Sequence, residues 1–124
     1  MFQETKELST SSMQVSLYHE MAESIRRGCV RYPRQAFGSL YDESEKAACV
    51  LGAMVVGGGC ASFQPVLGLQ YNDSSIQVVA QMPAFCPHCR YFSAVVWTLE
   101  SLLVHLNDLH KMSRERIADW LDTL

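Results

Sequence analysis

Two cysteines and two histidines toward the C-terminal end of the chain are spaced as metal ligands are. Cys86-Pro87-His88-Cys89 is followed by fifteen residues and then by His105-Leu106-Asn107-Asp108-Leu109-His110, which gives C-x2-C-x15-H-x4-H. Zinc takes four ligands in a tetrahedron. Two cysteines on a tight turn grip one edge, and two histidines near a helix end supply the other. The gap of fifteen lies at the long end of the finger range. Five residues advance a helix by about 140°, so both imidazoles reach one ion only where the helix gives way at its end.

Four ligands close the shell, so the expected cofactor is a structural Zn2+, about one per chain, held by Cys86, Cys89, His105 and His110. No catalytic residue is assigned. Asn107 and Asp108, between the histidines, are candidate acceptors for the second N–H of a metal-bound imidazole. As the polar side of a helix end they need no such role. His88 is expected to be exposed.

Three rivals stand beside structural zinc. The cysteines could be core residues and the histidines ordinary surface residues. Cys-Pro-His-Cys also serves as the redox tetrapeptide of some thioredoxin-like oxidoreductases, and Phe85 adds to that likeness. That fold needs more strands and a later cis-proline, whereas no proline follows Pro87. Catalytic zinc with Asp108 as base would need an open coordination position.

Arg26, Arg27, Arg31 and Arg34 form the one concentrated basic cluster. It could meet phosphates or an acidic partner, or it could be a solvated helix end and loop. A net charge of −3 excludes a generally basic nucleic-acid coat. With 48% hydrophobic and 19% charged residues in 124, the chain has the composition of one globular domain. Five cysteines, unevenly spaced, do not make a secreted disulfide scaffold. The opening residues do not read as a signal peptide, and the apolar run 47–63, interrupted by four glycines, is shorter than a membrane span. A cytoplasmic location follows as the expectation. Phosphate loops, nucleophile elbows and His-Glu-x2-His are missing, so enzyme activity and a small-molecule substrate have little support.

The elements that must position the ligands follow from pattern. Residues 1–12 read as a flexible lead-in, and 13–124 as the domain. A helix is expected over Met13–Arg27, with Leu17, Tyr18, Met21, Ala22 and Ile25 inward and Gly28 as its stop. After a loop, a second helix is expected from Asp42, with Glu45 completing a capping box and Gly57-Gly58-Gly59 ending it. Residues 65–70 and 75–81 read as a hairpin around Tyr71-Asn72-Asp73-Ser74. Thr98 caps a third helix to about His110, and Ser113 a fourth over Arg114–Leu121. Ser113 to Leu121 also looks like the scaffold helix of a helix-turn-helix, but no recognition helix follows it. The expected fold is a small α+β domain: N-terminal helices, a β-hairpin, and a zinc knuckle tied to a C-terminal αα-hairpin over 86–124.

The chain resembles a group of small bacterial and phage proteins to which no activity is attached. The likeness rests on Gln35-Ala36-Phe37-Gly38, on Ala48-Cys49-Val50-Leu51-Gly52-Ala53, and above all on His105-Leu106-Asn107-Asp108-x-His110-x-x-Ser113-Arg114-Glu115-x-Ile117-Ala118-Asp119-Trp120. It spans, with gaps, residues 15 to 122; group members often carry an aromatic where this chain has Met112. The resemblance implies one compact domain in a phage or mobile-element setting. Together these observations point to a zinc-binding adaptor or regulator that acts through a protein partner. The alternatives are a nucleic-acid-binding regulator using Arg26–Arg34, and a thiol–disulfide oxidoreductase at Cys86 and Cys89.

Overall fold

A computed structural model describes residues 2–64, 68–89 and 96–124. It is a single α+β domain of five helices and short strands. In chain order these are α1 (Phe2–Arg31), β1 (Arg34–Gln35), β2 (Tyr41–Asp42), β3 (Ala47–Ala48), α2 (Val50–Val56), β4 (Cys60–Gln64), β5 (Gly68–Tyr71), α3 (Ser74–Ala80), β6 (Pro83–Ala84), β7 (Trp97–Thr98), α4 (Leu99–Asp108) and α5 (Arg114–Asp122). Among the described residues no helix is long and apolar enough to cross a membrane.

The apolar stripe expected on the first helix is its buried face: Met21, Ala22 and Ile25 are at most 1% exposed. The helix itself is longer than expected. It runs through the polar residues read as a lead-in, and it does not stop at Gly28. That glycine serves close packing instead. A Cβ there would lie 1.9 Å from the Ala53 carbonyl oxygen, and one on Gly57 would lie 1.9 Å from that of Ser24. Side-chain-free positions thus let α1 and α2 touch backbone to backbone, and Ser24 Oγ donates to Met54 O at 2.9 Å. α1 also packs against α5, closing the core with Ile117, Ala118 and Leu121.

The second helix begins later than Asp42. Asp42 ends β2, and its Oδ1 accepts from Ser44 N at 3.0 Å and Ser44 Oγ at 2.7 Å. Such a turn uses the same residue types as a helix N-cap, so the two signals look alike in sequence. β3 lies between β1, which it pairs in parallel, and β2, which it pairs antiparallel. α2 then starts after Cys49, whose Sγ accepts from Gly52 N at 3.4 Å, and ends at Gly57, with Gly58 at φ +88° beyond it.

The hairpin exists one step earlier than expected. β4 pairs antiparallel with β5, and residues 74–80, read as its second strand, form α3. Part of the expected first strand, 65–67, lies outside the described residues. Asp73, read as turn, caps α3 by accepting from Ser75 N at 2.8 Å. Ile76, Val79 and Ala80 are buried at helical spacing, so burial overrides the strand preference of Ile and Val. The C-terminal αα-hairpin has the expected boundaries to within two residues. Thr98 Oγ1 accepts from Ser101 N at 3.1 Å, and Ser113 Oγ accepts from Arg116 N at 3.2 Å. Leu99, Leu102, Leu103 and Leu106 are buried as their spacing requires.

Candidate metal centre

β6 pairs with β7 in the register Ala84↔Trp97, and Leu99 N donates to Met82 O at 3.0 Å. This short ladder carries the Cys86–Cys89 knuckle to the side of α4. His105 lies in the last turn of that helix; His110 follows its end, with its N–H on the His105 carbonyl at 3.3 Å. Lys111 at φ +52° then turns the chain toward α5. The helix therefore ends between the two histidines, which removes the 140° obstacle of a regular helix.

The four side chains converge. Cys86 Sγ and Cys89 Sγ lie 3.4 and 3.3 Å from His110 Nε2, and Cys89 Sγ lies 3.3 Å from His105 Nε2. The two Nε2 atoms are 3.1 Å apart, and all four donor atoms lie within 4.8 Å of one another. Hydrogen bonding does not account for this. An imidazole Nε2 carries either one proton or one lone pair, yet His110 Nε2 faces three polar atoms at once. A central ion does. Zinc bond lengths in a tetrahedron imply S···N separations of about 3.5 Å and an N···N separation of about 3.3 Å. The observed contacts fall slightly inside both values. The four residues can therefore hold a metal ion.

Electrostatics favour the same use. Burial, then the neighbouring His110, lowers the His105 pKa, which keeps its ring neutral and its lone pair available. Burial and then the adjacent Cys86 raise the Cys89 pKa, since two thiolates repel at this range. A divalent cation between them reverses that repulsion. His88 is exposed, as expected, 5.3 Å from the His110 ring.

Asn107 and Asp108 do something other than expected: among the described residues, neither side chain bonds to an imidazole. Asn107 is fully buried. Its Oδ1 accepts from Gln35 Nε2 at 2.8 Å and from Val50 N, the first amide of α2, at 3.1 Å. Its Nδ2 donates to Ala36 O at 3.0 Å and to Asp108 Oδ1 at 2.7 Å, and Asp108 in turn accepts from Gly38 N at 3.1 Å. Residues 35–38, the start of α2 and the end of α4 meet at this junction.

Sequence reasoning missed Arg114. It is 2% exposed, with Nη1 donating to Tyr32 O at 2.6 Å and Ala48 O at 3.2 Å, and Nη2 to Pro33 O at 2.8 Å. It clasps the end of α1 and β3 from the start of α5. Only its place beside the Ser113 cap could have drawn notice.

In the basic cluster Arg27, Arg31 and Arg34 are exposed and Arg26 half-buried, and each has a partner. Arg26 bonds Glu23, Asp119 and Asp122 at 2.6–2.8 Å, contacts that raise its pKa through Asp122 first. Arg27 Nε donates to Gly57 O at 2.9 Å, Arg31 to Val56 O at 3.0 Å, and Arg34 pairs with Glu45 at 2.6 Å. The remaining cysteines are buried or half-buried, and burial pushes the Cys29 and Cys60 thiols up to about 12. They are poor nucleophiles.

Comparison with protein-family models, curated proteins and solved structures finds no match.

Proposed function

We propose that this protein is a small zinc-binding adaptor or regulator, with Cys86, Cys89, His105 and His110 holding one structural ion. The observation that carries this reading is the convergence of two sulfurs and two Nε2 atoms at spacings that fit a tetrahedral ion and not a hydrogen-bond network. Two sulfurs and two nitrogens suit zinc above oxygen-seeking cations. Four protein ligands leave no position for a water nucleophile, which supports a structural ion over a catalytic one.

A protein partner is supported by the surface beside the centre. Phe85, Val96 and Leu109 are 60%, 57% and 66% exposed. A groove of about 500 Å³ runs along Trp97, Val104, His105 and Leu109. An apolar groove with an exposed leucine on its wall is the kind of surface that takes up a partner. Nucleic-acid binding through Arg26–Arg34 has less support, because each of those guanidinium groups already has a carboxylate or carbonyl partner at the surface. The phage or mobile-element setting implied by the sequence resemblance is consistent with an adaptor.

Metal analysis tests the first half: about one zinc per chain is expected, and Cys86→Ser and His110→Ala should each lose it. The second half is tested by Leu109→Glu, which should keep the metal and abolish recovery of a partner captured by the unaltered protein. Capture that survives Leu109→Glu would remove this face from the account.

A further inference from the structure

The Trp97 indole lies flat on the His105 imidazole, with ring centroids 4.4 Å apart and planes 28° apart. His105 turns Nε2 toward Cys89 Sγ and His110 Nε2, which leaves Nδ1 on the far edge. Among the described residues no hydrogen bond holds that Nδ1. Metal-bound imidazoles usually have their ring plane fixed by an acceptor at the second nitrogen. Asn107 and Asp108, the neighbours suited to that task, are engaged elsewhere. The backbone fixes the indole independently of the cluster: Trp97 pairs with Ala84 in the β6–β7 ladder, and the next residue caps α4.

We infer that Trp97 is a positioning residue for the metal centre, its indole face setting the plane of the His105 ring so that Nε2 points at the ion. Among the described residues, stacking and not a hydrogen bond at Nδ1 is the element that orients the ligand. It also responds to the ion. A metal draws electron density from the imidazole, and a ring made more positive is held more strongly by the electron-rich indole face. The ladder that delivers the two cysteines therefore delivers the support for the first histidine as well. This inference rests on the metal-centre reading proposed above.

The test is a cobalt and zinc titration of the whole chain, with Trp97→Leu and Trp97→Phe alongside. The unaltered protein should bind Co2+ with the intense visible bands of a tetrahedral site containing sulfur. Trp97→Leu should weaken both metals by about tenfold or more, the range seen when outer supports of a ligand are removed, with shifted bands and unchanged helix content. Trp97→Phe should restore most of the affinity. In a Trp120→Phe background, where Trp97 is the sole indole, Co2+ should quench the emission and Zn2+ should not. No Co2+ binding by the unaltered protein would overturn the metal centre itself. Normal binding with Trp97→Leu at full affinity, or with Trp97→Phe no better than Trp97→Leu, would overturn the role of Trp97 alone. Should Trp97→Leu fail to fold, absence of Co2+ quenching in the single-indole protein would overturn it.

Discussion

Two fastenings hold the turn between α4 and α5, and they work by opposite chemistry. On one side His105 and His110 meet Cys86 and Cys89, four side-chain atoms around a point. On the other side Asn107 and Arg114 reach the backbone of distant segments: Val50 N and Ala36 O for the first, Tyr32 O, Pro33 O and Ala48 O for the second. The first fastening can hold a metal ion and is built from residues whose types advertise it. The second is self-contained and uses groups that every residue possesses.

Removing a metal ligand should have the largest effect. Metal binding adds directly to folding free energy, so Cys86→Ser should lower the thermal midpoint sharply in the presence of zinc. With a chelator present, Cys86→Ser and the unaltered protein should unfold together. Arg114→Leu tests the other side. It removes the guanidinium donor from the Tyr32 and Pro33 carbonyls and the second donor from Ala48 O, and should cost about 3 kcal/mol in urea unfolding, equally with and without zinc. A zinc-dependent penalty for Arg114→Leu would mean that the two fastenings are one unit. Asn107→Leu should cost about 2 kcal/mol, again without regard to zinc, because it leaves the first amide of α2 unpaired. Its metal affinity, read by competition with a chelator, should stay within about twofold; a loss like that of a ligand's outer support would restore the role first expected of Asn107.

The smallest effect concerns the surface ion pairs around Arg26. Burial raises the Asp122 pKa, but hydrogen bonds from Arg26 and His19 outweigh it and hold the carboxyl below its ordinary 3.8. A carboxylate with a lowered folded-state value stabilises the fold above the unfolded value and loses that contribution as pH falls through the folded one. Asp122→Asn should therefore cost under about 1 kcal/mol near neutral pH, as measured in urea on zinc-free protein. The difference from the unaltered chain should vanish as pH drops below 3.8. A difference that persists in acid would assign the effect to packing rather than charge.

The same contrast explains what could be read from the sequence. Cys86, Cys89, His105 and His110 are rare residue types at a telling spacing, and Thr98 and Ser113 are local caps, so the cluster and the αα-hairpin were legible. Gly28 and Asp42 carry local signals with two meanings. A glycine ends a helix or lets another backbone approach, and an aspartate caps a helix or a turn. Only the tertiary partner, Ala53 for one and β3 for the other, selects between them. Asn107 and Arg114 bind backbone groups 57 to 82 residues away, and a carbonyl leaves no mark in sequence. The arginine cluster fits the solvated helix end and loop that its sequence allowed, with Arg27, Arg31 and Arg34 exposed and each on its own acceptor.

X-ray absorption at the zinc edge of the purified protein tests the central claim most directly. Two sulfurs at about 2.3 Å and two nitrogens at about 2.0–2.1 Å are predicted, with no oxygen in the first shell. Protein that retains no zinc, or zinc bound in an oxygen-rich shell, would contradict the account.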